Sequence, residues 1–214
     1  MRSLTVGALC LLALSACSAA PKTATAPPSS SSSAAPTTTT SKAPRPLVPP
    51  ITEWPTWFDV DDTKTGFALQ MPYKVPPTER SDSIPPERSH EIDLSPLRPG
   101  ENTLRVAFAD VPGITPAVLR KMPELNRRGF AEKGYPDAKL ESVTEAVHNG
   151  LTSIDFVMTW TIKGTKCVRW SSFLINSKGF LDVTTLALGE AAAGPMAETM
   201  RQYHQKMVDS AHSL

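Results

Sequence analysis

Few side chains in this 214-residue chain have the types and spacing that covalent or metal chemistry demands. A metal centre needs His, Cys, Asp or Glu side chains at ligand spacing. His90, His148, His204 and His212 show no such spacing. On a helix, the last two lie more than two turns apart and cannot share an ion. A twelve-residue stretch, "DVDDTKTGFALQ", superficially matches a calcium loop, but Lys64 stands where Gly is needed and Gln70 where a bidentate Glu is needed. No metal and no cofactor is expected. A nucleophilic thiol requires a base and an orienting group, and nothing around Cys167 in "KCVRWSSFLI" carries that signature. G-x-S-x-G, a phosphate loop and H-E-x-x-H are all absent. An enzyme reading is left with Cys167 or a His–Asp pair, and it requires Cys167 to be accessible beside His148 or His204.

The remaining chemistry sits at Cys17. Residues 1–16 read as an export signal: Arg2, then the apolar run "LTVGALCLLALSA". The run is shorter than the roughly 20 apolar residues of a membrane span. It ends in "LSAC", Leu14 to Cys17, which resembles the lipobox of bacterial lipoproteins. That resemblance implies a diacylglyceryl group on the Cys17 sulfur, cleavage before Cys17, and anchoring on the outer face of the cell membrane. Each buried CH₂ of an acyl chain contributes about 0.8 kcal/mol, so two or three chains hold a protein durably. With Cys10 in the signal and Cys17 acylated, Cys167 has no partner for an intramolecular disulfide.

Residues 17–52 are dominated by Ala, Pro, Ser and Thr and have almost nothing to bury. Such composition cannot offset the entropy of ordering and reads as a tether. Of the 22 Lys and Arg, Arg2, Lys22, Lys42 and Arg45 precede position 53, leaving 18 against all 21 Asp and Glu in residues 53–214. A domain with that acidic balance offers no basic footprint for nucleic acid.

A globular domain is expected over 53–214, opening with the aromatic stretch "TEWPTWFDV". "TGFALQMP" reads as a strand with Phe67, Leu69 and Met71 on one face. The Pro-rich residues 73–100 read as a long loop, with a short strand possible around "HEIDLS". "TLRVAFADV" is a strand. Thr115 then caps a helix with Pro116 at its first position, and Pro123 restarts it as far as Gly134. Four strands follow, turned by "NG", "KGT" and "NSKG". A closing helix repeats Met196, Met200, Tyr203, Met207 and Ala211 at helical spacing.

Strand, loop, strand, helix, four-strand meander, helix describes an α+β fold: an antiparallel sheet packed against helices. "GFALQMP", the central helix, the meander and the closing amphipathic helix resemble the PsbP-like sandwich. In a chain with a lipobox they resemble the LpqN/LpqT group of actinobacterial lipoproteins. The resemblance implies a non-catalytic binding module of the cell envelope, taking an envelope lipid or an envelope protein. Trp54, Trp57, Met196, Met200, Tyr203 and Met207 are the candidate contact residues. An apolar cavity between the Met-rich helix and the sheet would favour lipid carriage, and a filled core would favour docking. A stalked adhesin is a further alternative, resting on the tether alone.

Overall fold

The computed structural model describes residues 56–80, 86–94 and 102–214. The signal, Cys17, the tether and Trp54 lie outside the described residues. Two antiparallel sheets and three helices form the domain. The smaller sheet has the order β1-β2-β10, from β1 (Phe58–Asp62), β2 (Phe67–Met71) and β10 (His212–Ser213). The larger has seven strands: β3 (Thr78–Arg80), β4 (Glu87–Asp93), β5 (Thr103–Ala109), β6 (Lys139–His148), β7 (Leu151–Ile162), β8 (Thr165–Ile175) and β9 (Phe180–Leu188). Their order across the sheet is β3-β4-β5-β9-β8-β7-β6. The helices are α1 (Pro116–Leu119), α2 (Met122–Glu132) and α3 (Gly194–Ser210), the last preceded by a 3-10 turn at Gly189–Ala192. Among the described residues, no helix is long and apolar enough to cross a membrane.

Local chemistry accounts for most of this path. The Thr115 hydroxyl accepts the Val118 amide at the start of α1, and Pro116 occupies the first turn. Asn149 and Gly150 carry φ of +49° and +82°, and Lys163 and Gly164 carry +50° and +79°. Both pairs have the left-handed conformations of two-residue hairpin turns, whose twist matches that of the flanking strands. The supposed calcium loop is the β1–β2 turn. The Asp62 carboxylate there accepts the Thr65 amide at 3.2 Å and its hydroxyl at 2.7 Å.

The alternation of β7 sorts the core onto two faces. Ile154, Phe156, Met158 and Trp160 are buried against Leu119, Met122 and Phe130 of α1 and α2. Trp160 anchors this layer, with the Phe130 ring centroid at 4.6 Å and Tyr135 at 6.4 Å. On the opposite face, Leu104, Val106 and Phe108 of β5 and Leu181 and Val183 of β9 meet Met200, Tyr203, Met207 and Val208 of α3. The small sheet closes the same core through Phe67, Leu69 and Met71.

The expected order of elements needs correction in the long loop and at both ends. Residues 73–100 are not a single loop, because β4 is an interior strand between β3 and β5. Its sequence, "ERSHEID", follows Pro86 directly, so the proline pair precedes the ladder without interrupting it. Strands β1, β3 and β10 are further additions to that expected order.

Candidate functional site

The closing helix presents much less surface than its methionines imply. Met200, Tyr203 and Met207 are fully buried and fill the space between α3 and the sheet. They are core residues, and only Met196 of the helical candidates is partly accessible. Trp57, also half-buried, packs on Tyr203 with ring centroids 6.3 Å apart. The Lys206 ammonium sits 4.1 Å above the Trp57 ring, a cation–π contact that fastens the start of the domain onto α3.

The thiol reading is overturned by placement. Cys167 is fully buried in the α2-side core. Its Sγ lies 3.6 Å from the Thr165 carbonyl. His204 packs on the opposite face of the sheet, against Ser172 and Thr185. A His–Asp pair does form: His148 Nε2 lies 2.9 Å from Asp155, and its Nδ1 lies 3.8 Å from Asp209. Both ring nitrogens face carboxylates, so neither is aimed at a nucleophilic hydroxyl. The pair ties the β6–β7 hairpin to the end of α3. Beside it the Asn149 amide donates to the carbonyls of Asp209 and Ala211, at 2.7 and 2.9 Å.

His204 Nε2 lies 3.0 Å from the Ser172 hydroxyl and Nδ1 3.3 Å from that of Thr185. Burial pushes its pKa down to about 4; Asp155 acts in the opposite sense, while His148 and Arg169 add to the depression. A neutral imidazole bonded to two hydroxyls inside the core has no path to a substrate. Among the described residues, no three His, Cys, Asp or Glu side chains gather into a metal site.

The α2 face of the sheet contains a buried ionic network that sequence reading missed. Arg105 donates to Glu87 and, at 3.2 Å, to Asp182. Arg169 Nη2 lies 3.8 Å from the same Asp182 oxygen. The Arg169 guanidinium also donates to Ser171, Asn126 and Thr184, at 2.7, 3.2 and 3.0 Å. Burial weighs against the charge of Arg105, yet Asp182, then Glu87 and Glu91, outweigh it and hold the proton more tightly than in free arginine. Two arginines and two carboxylates pair here, as buried charges must, while Arg105 Nε makes no hydrogen bond among the described residues and faces Glu91 at 4.0 Å.

The exposed feature lies on the α3 side. Helix α3 covers β9, β8 and β2, whereas α1 and α2 cover β7 and β6 from the other side. Away from the hairpin end, which His148 and Asn149 tie to the end of α3, the α3-side face of β6 and β7 has little helix cover among the described residues. At the boundary Trp170, Val157 and Met196 are partly buried against the α3 core. Exposed Ser142 and Thr144 and half-exposed Thr159 extend the surface outward. The result is an amphipathic shelf with an aromatic–aliphatic strip along the flank of α3. Trp170 was legible in principle, since Val168, Trp170, Ser172 and Leu174 alternate with Cys167 and Arg169. Which half of that face α3 leaves open depends on long-range packing.

No protein-family model and no curated protein matches the sequence. Solved structures do share the architecture. The solution structure of the cyanobacterial PsbP protein CyanoP from Synechocystis is 12% identical, with a TM-score of 0.55 over 74% of this chain and 92% of that one. LpqN of Mycobacterium tuberculosis, described as involved in cell envelope biogenesis, is 16% identical, with a TM-score of 0.48 over 73% and 89%. A putative regulator from Pseudomonas aeruginosa, PA94, is 14% identical, with a TM-score of 0.41 over 71% and 96%. With the two-sided antiparallel sheet described above, the likeness to CyanoP gives this chain a PsbP-like α+β fold.

Proposed function

We propose that the chain is a non-catalytic docking module of the bacterial cell envelope, held at the membrane through acylated Cys17 and carried on the 17–52 tether. One observation carries the reading. The α3–sheet core is filled by Met200, Tyr203 and Met207, while Trp170, Val157 and Met196 remain half-exposed beside it. A filled core leaves no enclosed space for an acyl chain between helix and sheet, so recognition falls to the surface. Trp and Met are enriched at protein interfaces, and a central Trp is a frequent hot spot. The occupant that fits is an envelope protein with an apolar ridge, its polar rim meeting Ser142, Thr144 and Thr159.

A photoreactive residue at position 196 of the full chain, expressed in the parent organism, is expected to crosslink to one envelope protein. A hot-spot loss of about 2 kcal/mol corresponds to a roughly 30-fold weaker complex. Trp170→Ala should therefore reduce that crosslink at least tenfold without changing the chain's abundance. A yield indifferent to Trp170→Ala would remove the shelf from the account.

A further inference from the structure

The outer edge of β6 is unpaired among the described residues. An unpaired edge presents free N–H and C=O groups and is usually blunted by charge, a bulge or cover. Here the bulge is confined to one end, and Glu145 is the one charge along the rest of the edge strand up to His148. The register shifts between Leu140 and Ser142, and Lys139 and Glu141 form an ion pair there. Beyond that bulge, Ser142 to His148 pair regularly with β7, and Val143 and Val147 stand 48% and 69% exposed. They are two of the four large hydrophobic side chains most exposed in the described structure.

The hairpin turn decides which backbone groups face outward. Across a two-residue turn the flanking residues, His148 and Leu151, exchange both hydrogen bonds. Counting back along β6, His148, Ala146, Thr144 and Ser142 turn their backbone groups toward β7. Val143, Glu145 and Val147 turn theirs to the open edge. Only odd-numbered residues can thus pair across that edge.

We infer that this edge is a self-association surface, on which a second copy of the chain adds its own β6 antiparallel about a two-fold axis through Glu145. Five symmetric registers, with axes at positions 143 to 147, keep odd residues opposite odd residues along this stretch, and the axes at Ala146 and Val147 leave Val143 opposite the turn or beyond the end of the partner strand. An axis at Val143 sets Glu141 against Glu145, and an axis at Thr144 sets each valine against a glutamate. The axis at Glu145 sets Val143 of each copy against Val147 of the other and buries all four exposed valines. Its one like-charge meeting, Glu145 with Glu145, is offset because each Glu145 is held by Arg120 of its own chain, at 2.7 and 2.9 Å. The axis is perpendicular to the sheet, so the open faces of the two copies lie on the same side. This surface is distinct from the shelf and does not depend on the docking reading.

Register-specific crosslinking tests it. Two differently tagged full-length chains, V143C and V147C, are co-expressed and oxidised with copper–phenanthroline. Opposed residues in a hydrogen-bonded pair have Cα atoms about 5.5 Å apart, within disulfide reach. Two copies of the same variant hold their cysteines four residues apart along the strand, about 13 Å, and cannot bridge. The expected result is a covalent dimer bearing both tags, at least tenfold above either variant alone and above the parent chain. Absence of the mixed dimer, or equal yields in the single-variant controls, would overturn the proposal. The substitutions lie on exposed positions, and circular dichroism of each chain confirms that folding is retained.

Discussion

Replacing Arg105 with methionine is expected to lower the unfolding free energy by about 3–5 kcal/mol, the usual cost of stranding a buried carboxylate. Glu87 and Asp182 both lose their main cation, and each is almost fully buried. Asp182 keeps only Arg169, at 3.8 Å, and the Thr184 hydroxyl, at 2.6 Å. A domain with a total stability of roughly 5–15 kcal/mol has little margin for such a loss. Urea unfolding at neutral pH reads it directly. The cause is separable from lost packing: adding Glu87→Gln and Asp182→Asn to Arg105→Met removes the stranded charges and should restore part of the deficit. A single-variant loss under about 1 kcal/mol would show that water reaches the network, contrary to the burial of all four charged groups.

Acid should destabilise the protein through His204 before most carboxylates titrate. Its folded pKa of about 4 lies below the ordinary histidine value of 6.5. The unfolded chain therefore takes up a proton that the folded chain refuses. Stability contributed by the neutral form is complete above about pH 6.5 and is lost as pH falls toward 4. By pH 4.5 the loss amounts to about 2–3 kcal/mol. Glu124, held down to about 2 by Arg127 and Arg128, keeps its charge throughout that window. Glu145 and Glu198 are also held below the usual carboxylate range by their arginine partners. Unfolding measured between pH 7.5 and 4.5 should thus show a steep decline in the wild type and a shallower one in His204→Gln. Parallel declines would place the imidazole in contact with solvent.

Much of the architecture was legible where local chemistry and burial agree. Asn149-Gly150 and Lys163-Gly164 supply the backbone conformations that tight hairpins require, and β7 alternates because each of its faces meets a different environment. Strand β4 was hard to read because Glu87, Ser89 and His90 are buried polar residues. The burial of Glu87 makes sense only with Arg105, a partner 18 residues away, and that of His90 with the Val75 carbonyl and Phe108 on the other face. Strand β5 was legible through Leu104, Val106 and Phe108, but all seven of its residues are buried, and the second core that Arg105 faces was not.

The candidate site was less legible. Helical periodicity marks Met200, Tyr203 and Met207 as one face but does not distinguish a filled core from a ligand cavity. Trp170 and Val157 sit on strands whose two faces are both apolar in part. Their exposure follows from where α3 ends its cover, which only the assembled sheet determines. The β6 edge was hidden because its neighbours are fixed by strand order.

Native mass spectrometry on the chain purified from the parent organism, followed by denaturation and solvent extraction, tests the docking account most directly. The account predicts a complex with an envelope protein, lost in Trp170→Ala, and no apolar molecule released on extraction. A stoichiometric apolar adduct, retained in Trp170→Ala and freed only on denaturation, would contradict it and make the protein a lipid carrier.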